Sequence, residues 1–514
     1  MEDVMITKPL VLIVGAGPTG MTAAIELKRA GLNVRIIDKS DHPALHSQAL
    51  AVQARTLEQL QRYGIADRAI DRGRKLTTAE FWSDGKKILS LNFERISSRF
   101  PYVLFLPQSE TEAILNDQME TLGLKIERGT EFLSMTQEGT VLTAMLGHHD
   151  GSHAEITPTW IIGADGAHSH VRELAGIPFD GKGVGLSFFL GDVEAEGPDL
   201  PKDEVTLRLH DGNVVFLGRI SDKITRLIVA LHSKQGDDTP QQLSLKDFQN
   251  ALDQAGVRVK VRSSEWMTPF NVHDLQARHY RAGNVFLVGD ASHIHSPVGG
   301  QGMNTGIQDA ANLGWKLAAV ARGADDKLLD SYEEERGKVG EALLKFTERG
   351  LKLMSASNPV VESVRDALLP VLSKLKPIQK TAIGFVSETA IDYRSSSIVV
   401  DRGGDGDLRA GDRMPDLALK NGHQGSTLLQ NWTEPRHLAI ILNPAEAQID
   451  EVKAALPSSK IVPLRTSYID EEGQRLLGDA RKLLIVRPDG YVGFRGPIEN
   501  PADWLAYAGQ DGLA

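Results

Sequence analysis

Three short stretches of this chain carry residue types and spacings that suit the holding of a phosphate-bearing ligand. The first is Gly15-Ala16-Gly17-Pro18-Thr19-Gly20, a GxGxxG pattern with Asp38 and Lys39 downstream. Gly15 permits a tight turn, Gly17 lets the backbone approach a pyrophosphate, and Gly20 lets a helix pack closely on a strand. The free N–H groups and positive dipole end at the start of that helix then face the phosphates. Asp38 is placed to accept hydrogen bonds from ribose hydroxyls. The second stretch is Trp160-Ile161-Ile162-Gly163-Ala164-Asp165-Gly166, with Arg172 close behind. The third runs Val285-Phe286-Leu287-Val288-Gly289-Asp290 and continues through Pro297, Gly299, Gly300, Gln301, Gly302, Met303 and Asn304. In the second and third a short apolar run delivers an acid to a turn. In the third a glycine-rich helix entry follows, where backbone N–H groups converge on an anion. The first pattern alone marks a dinucleotide site without choosing the dinucleotide.

The elements that must position these residues follow from periodicity. Leu10 to Val14 and Val34 to Ile37 are continuous apolar runs, as expected of strands buried on both faces, and Thr19 to Ala30 has a helical apolar side closed by Gly31. This strand–helix–strand unit predicts a parallel, doubly wound α/β fold. Ala79 to Leu91 and Ser187 to Leu231 alternate as strands do, with Asp211-Gly212-Asn213 as a hairpin turn. They predict an antiparallel sheet inserted into the first fold as the roof of a site. The helix-rich stretch from Val339 to Leu375 is expected to pack against the dinucleotide-binding unit. Arg402-Gly403-Gly404-Asp405-Gly406-Asp407 reads as a polar linker, after which a separate C-terminal unit begins.

Composition excludes several function classes. The chain has 514 residues, enough for about three domains. Its formal net charge of −11 gives it no general attraction to nucleic acid or to anionic membranes. It contains no cysteine, which removes disulfides, thiolate catalysis, iron–sulfur clusters and cysteine-based zinc sites. No signal-like start and no apolar run of spanning length is visible, so a cytoplasmic protein that neither enters a membrane nor binds nucleic acid is expected. His148, His149 and His153 surround an Asp-Gly turn, and His293 and His295 follow Asp290. Surface placement explains the first group and ligand binding by the Asp290 segment the second, so no metal is assigned.

The three ordered motifs together resemble the class A flavoprotein aromatic hydroxylases, the p-hydroxybenzoate hydroxylase-like FAD-dependent monooxygenases, over roughly the first 400 residues. Leu329-Asp330-Ser331-Tyr332-Glu333 through Arg336 is similar to the segment after the third motif in that family. The resemblance implies a Rossmann-like FAD-binding domain made of residues 1–75, 104–180 and 275–393. It implies a substrate-binding sheet domain made of 76–103 and 181–274. The cofactor would be FAD, with NAD(P)H as a transient co-substrate that needs no second Rossmann unit. Asp290 would hold the ribityl chain, Gly299 to Asn304 would present backbone donors to the flavin pyrimidine edge, and Pro297 would lie beside the reactive face. Gln108 matches a glutamine that contacts FAD, and Asp165 and Arg172 lie in a stretch credited with FAD and nicotinamide contacts. Gln48 stands where many relatives carry an arginine, and a neutral amide there does not neutralise pyrophosphate.

After a linker at 394–410, residues 411–514 resemble the thioredoxin-like tail of the phenol and polyketide hydroxylase branch. Without cysteine it performs no dithiol exchange, and a structural or assembly role is expected. The function implied is hydroxylation of a phenolic or other aromatic ring, including polyketide rings, with NAD(P)H and O₂, through a hydroperoxide at flavin C4a. No side chain stands out as a catalytic base. The alternative is a flavoprotein that does not hydroxylate: a reductase, or a chaperone or sensor for an aromatic ligand. A flavin-dependent halogenase would carry a Trp-x-Trp-x-Ile-Pro motif, which this chain lacks. Substrate identity, the choice between NADH and NADPH, and oligomeric state, a homodimer included, are open at this level.

Overall fold

The computed structural model describes residues 10–43, 49–232, 243–296, 299–373, 375–420 and 426–510. Gln48 and Pro297 lie outside the described residues.

Leu10–Val14 is buried and lies at the centre of a six-stranded sheet. It pairs in parallel with Asn33–Asp38 on one side and Trp160–Gly163 on the other, and Trp160–Gly163 pairs in parallel with Val285–Leu287. All three motif turns therefore leave neighbouring strands at the same end of one sheet, where open α/β sheets place their ligands. The helix Pro18–Arg29 starts with Pro at its first turn, ends with Lys28 and Arg29 against the negative end of its dipole, and buries Ala23, Ala24 and Leu27. It packs against the helix Gly302–Ala321 across glycines. A Cβ at Gly306 would stand 2.3 Å from Thr19 Oγ1, and one at Gly314 would stand 2.8 Å from Glu26 Cβ.

The inserted sheet has eight strands. Its long strands Phe179–Glu196 and Lys260–Ala277 pair antiparallel, and Asp211 and Gly212 both take positive φ in the hairpin joining Val205–His210 to Asn213–Arg219. One pairing departs from the expected antiparallel pattern. Thr78–Ser83 lies parallel to Val205–His210, because it enters from the other domain rather than by a hairpin. The second half of the 339–375 stretch also departs from expectation. Leu351 joins Ile88, Leu186, Phe188 and Leu209 in a core under the sheet, so these helices cover the sheet rather than the dinucleotide-binding unit.

In the C-terminal unit the strands run in the order Val400–Asp401, Val492–Gly496, Lys482–Val486, Leu438–Leu442, Lys460–Leu464. The segment expected as a linker supplies the first of these. Val400 pairs with Phe494, and the Asp405 carboxylate accepts the backbone N–H groups of Asp479 and Ala480 and binds Lys482. The unit is joined to the rest of the chain by a buried charged cluster. Arg487 forms a bidentate pair with Glu335 at 2.7 and 2.9 Å, Lys316 reaches the same carboxylate at 2.8 Å, and Asn312 donates to Asp489 at 3.0 Å. Burial lowers the Lys316 ammonium to about 8 even with Glu335 beside it.

Candidate active site

A cavity of about 590 Å³ begins at the motif turns and extends beneath the eight-stranded sheet. A separate open groove of about 860 Å³ along Gln276–Arg281 and Asp326–Glu341 contains none of the motif glycines.

At the near end, the backbone shapes the site. Gly15 has φ +100°, and a Cβ there would lie 2.3 Å from the Ala164 carbonyl oxygen. A Cβ at Gly20 would lie 2.0 Å from the Gly15 carbonyl oxygen. At Gly17, in contrast, a Cβ would meet nothing within 4 Å. Two of the three glycines are thus required by the protein itself, and the third borders open space at a helix start that no side chain caps. Asp38 accepts from the N–H groups of Ala16 and Ser40, both at 2.8 Å, and so ties the glycine turn to the end of the second strand. Lys39 is exposed beside it.

Gly17, Pro18, Thr19, Gln108 and Asp290 line the cavity, as do Gly299, Gly300, Gly302 and Met303. The Asp290 side chain is exposed to this cavity and enclosed by protein elsewhere, and that enclosure pushes its carboxyl above the ordinary value. Gln108 receives the Ala49 N–H at 3.3 Å and donates to Glu112 at 2.8 Å.

Asp165, Arg172 and Asn304 do not line the cavity. The Asp165 carboxylate accepts from Ser169 Oγ at 2.5 Å and Val171 N at 3.1 Å, holding the start of the helix His170–Leu174. Arg172 donates to the carbonyls of Ala291 and Ala167 and stacks on Phe179 at 3.9 Å, which joins the second motif to the third. Asn304 donates to the carbonyls of Ala51 and Gly300 and accepts the Gln53 N–H. These three side chains position the turns, and the backbone they position lines the cavity.

Two further polar groups stand at the near end: Gln53, which carried no motif signal, and His295, which the sequence placed in the ligand-binding Asp290 segment. Gln53 lines the cavity and donates to the Gly299 carbonyl at 3.0 Å, while its Oε1 is buried without a partner. His295 lines the cavity with Nδ1 on the Ser296 carbonyl at 3.0 Å and with Nε2 unpartnered. Burial lowers its pKa to about 4, so the ring is neutral near pH 7 and offers Nε2 as an acceptor. Behind it His293 pairs with Asp309 at 2.7 Å, and Asp309 also binds Arg336 at 2.5 Å. Burial would raise the Asp309 carboxyl, but Arg336 and His293 hold it low. Among the described residues no cluster of ligating side chains suits a metal. Open space at Gly17, an acceptor at Asp290 and unpartnered acceptors at Gln53 and His295 fit a ligand with phosphates, hydroxyls and N–H donors.

The far end of the cavity is apolar. Phe81, Leu89, Phe188, Leu207 and Phe216 from the sheet face Phe346 and Met354 from the covering helix. Arg226 is the one charged side chain the sheet contributes to this lining; it is fully buried and forms a bidentate pair with Asp192 at 2.7 and 2.6 Å.

Comparison with known proteins identifies the dinucleotide. An FAD binding domain family matches residues 8–347, and the C-terminal domain of aromatic-ring hydroxylases matches 407–511. The chain belongs to the FAD-dependent aromatic-ring hydroxylases. This hydroxylase is 34% identical to 6-methylpretetramide 4-monooxygenase of Streptomyces rimosus, over 95% of this chain and 91% of that one. It is 32% identical to pentachlorophenol 4-monooxygenase of Sphingobium chlorophenolicum, over 95% and 94%. Its fold superposes on an anhydrotetracycline hydroxylase from Streptomyces rimosus with a TM-score of 0.82, at 29% identity over 98% of this chain and 99% of that one. It is a flavoprotein monooxygenase that uses FAD, with NAD(P)H as co-substrate, to hydroxylate an aromatic compound. Among the described residues no helix is long and apolar enough to cross a membrane.

Proposed function

We propose that this hydroxylase acts on an extended, fused-ring phenol rather than a single-ring phenol. The observation that carries this reading is the far end of the cavity, an apolar chamber built from sheet and covering helix with one buried guanidinium in its sheet wall. Aromatic walls suit a flat hydrophobic ligand, and the Arg226 charge is matched by Asp192. Among the relatives, 6-methylpretetramide 4-monooxygenase is named for a fused-ring substrate and pentachlorophenol 4-monooxygenase for a single ring.

At the near end, Asp290 would accept from the ribityl chain, and the N–H groups of Gly299 to Asn304 would face the flavin pyrimidine edge. When bound, FAD supplies the redox and oxygen chemistry. The protein orients the ring, excludes water and sets the field. The backbone donors would stabilise negative charge at the pyrimidine edge as the cofactor is reduced, and O₂ would reach the ring through the same cavity. The C-terminal strand order and the helix Glu446–Ala455 between its parallel strands support a thioredoxin-like reading of that unit. With no cysteine in the chain, its role would be structural. The acidic, cysteine-free composition supports a cytoplasmic setting without nucleic-acid partners.

A graded panel of phenols, naphthols, anthracene phenols and tetracyclic phenols tests the substrate class. NAD(P)H consumption and product mass are measured for each. The expected result is tight coupling only for members of three or more rings; coupled hydroxylation confined to single-ring phenols would refute it.

A further inference from the structure

We propose that the outer faces of Pro359–Leu372 and Lys376–Val386 form an interface between two copies of this chain, and that the second copy covers the mouth of the apolar chamber. The first of these helices is reversed relative to an ordinary surface helix, in which charge faces water and apolar residues face the core. Arg365 is turned inward and is 4% exposed; it donates to Ser83 Oγ at 2.8 Å and to the Met354 carbonyl at 3.1 Å. Outward stand Val361, Val364, Leu368, Val371, Leu375 and Ile378, each between 42% and 61% exposed. On the first helix Val361, Val364, Leu368 and Val371 follow at three, four and three residues, the alternation of a helix-packing seam, and Leu375 and Ile378 continue the stripe beyond the helix end. Val360, Leu372 and Leu353 widen the stripe.

Area and charge name the occupant. The exposed side chains amount to roughly 700 Å² per copy, beyond the roughly 300–600 Å² of the largest patch on an ordinary monomer. That is close to the roughly 800 Å² each partner contributes to a stable interface. A stripe without charges at the seam positions is self-complementary, as a two-fold contact requires. A membrane surface suits it less well. An interfacial helix sets aromatic side chains at its apolar face, whereas the seam is wholly aliphatic.

The stripe also borders the active-site cavity. Leu353 is 43% exposed and lines it, and Leu369, Ala382 and Val386 line it from the inner sides of the same two helices. A second copy seated on the stripe would therefore shield the chamber from bulk water, which favours oxygen transfer to substrate over release of hydrogen peroxide. This consequence rests on the hydroxylase reading of the cavity; the interface does not.

The chain has no cysteine, so single cysteines report cleanly. Val364→Cys, Leu368→Cys and Val371→Cys are oxidised separately with copper–phenanthroline and resolved on a non-reducing gel. Val141→Cys, 57% exposed on a different hairpin, serves as the control. Sedimentation at tens of micromolar is measured alongside, with Leu368→Glu compared to wild type for flavin content and for peroxide released per product. The expected result is a wild-type dimer and at least tenfold more cross-linking at one stripe position than in the control. Leu368→Glu is expected to sediment as a flavin-loaded monomer with several-fold more peroxide per product. A wild-type monomer, or cross-linking no greater than the control, would overturn the interface. Wild-type monomer that floats with phosphatidylcholine vesicles would overturn it in favour of a lipid surface. A flavin-loaded Leu368→Glu monomer with wild-type coupling would overturn the covering role and leave the interface standing. Because cysteine is a mild change, the cross-linking arm remains decisive if Leu368→Glu fails to fold.

Discussion

The two ends of the active-site cavity are built on opposite principles. At the near end, glycines and backbone N–H groups form the walls, and side chains such as Asp38, Asp165, Arg172 and Asn304 hold those walls in place. At the far end, apolar side chains from the sheet and a covering helix form the walls, with Arg226 fixed by Asp192. A backbone-walled site tolerates few residue types, because a single Cβ closes it. A side-chain-walled chamber tolerates many, because volume and polarity matter more than identity. One family can therefore keep a common cofactor while the chamber diverges to fit different rings.

The sharpest way to break this contrast is at Gly20. A Cβ there would meet the Gly15 carbonyl at 2.0 Å, so Gly20→Val is expected to abolish flavin retention and to cost at least the roughly 1–3 kcal/mol of an overpacked core. Flavin absorbance after gel filtration and a urea unfolding curve would measure both. Retention of flavin at wild-type stability would remove the backbone rule from the near end.

A second test uses a buried carboxyl behind the cavity. Glu388 has φ +59° and binds Thr305 and Gln308, and burial raises its pKa to about 8. The folded state therefore holds a proton that the unfolded chain releases above its ordinary pKa of about 4.5. Stability from this group is fully present below about 4.5 and is lost as pH rises towards about 8. Glu388→Gln should match wild type in thermal midpoint near pH 5 and exceed it near pH 9. Equal midpoints at both pH values would show that Glu388 is not held neutral.

Smaller effects are expected from single groups at the near end. Asp290→Ala should weaken FAD binding by about 1–3 kcal/mol, read as flavin released on dilution, with little change in unfolding. Gly300 has φ +62°, and a Cβ there would stand 2.9 Å from Ala51 Cβ. Gly300→Val is expected to slow flavin reduction and lower coupling more than it lowers folding stability. Stopped-flow reduction by NAD(P)H with substrate present would decide this, and wild-type reduction and coupling in a folded, flavin-loaded variant would count against it.

What the sequence revealed follows the same division. Glycine spacing, the acids after the strands and the Asp211-Gly212 turn are local signals, so the parallel sheet and the near end could be read directly. Asp165, Arg172 and Asn304 were legible as motif residues, but whether such a side chain touches the ligand or the neighbouring turn depends on partners far along the chain. Ala291 is 119 residues from Arg172, and Ala51 is 253 from Asn304. Gln53 and Arg226 carried no signal as cavity-lining groups, because a lone glutamine or arginine on a strand or turn is ordinary, whereas His295 was legible as part of the ligand-binding segment after Asp290. Phe81, Phe188 and Phe216 lay in the sheet expected to roof a site, but nothing local showed which of its side chains would face the chamber rather than the packed interior. The stretch Val339 to Leu375 was expected to pack against the dinucleotide-binding unit for the same reason, and the outward apolar face of Pro359–Leu372 appears only once Arg365 is seen turned inward.

The separability of the two ends is tested most directly by filling one and measuring both. Leu207 lines the far end on a sheet strand, and Leu207→Trp would occupy part of the chamber. The measurement is ¹⁸O incorporated from ¹⁸O₂ into hydroxylated product per NAD(P)H consumed, with flavin content determined on the same sample. The expected result is full flavin content, continued NAD(P)H oxidation and at least a tenfold fall in labelled product. Loss of flavin in step with loss of product, or unchanged labelled product at full flavin content, would contradict a cavity divided into a backbone-walled cofactor end and a side-chain-walled substrate end.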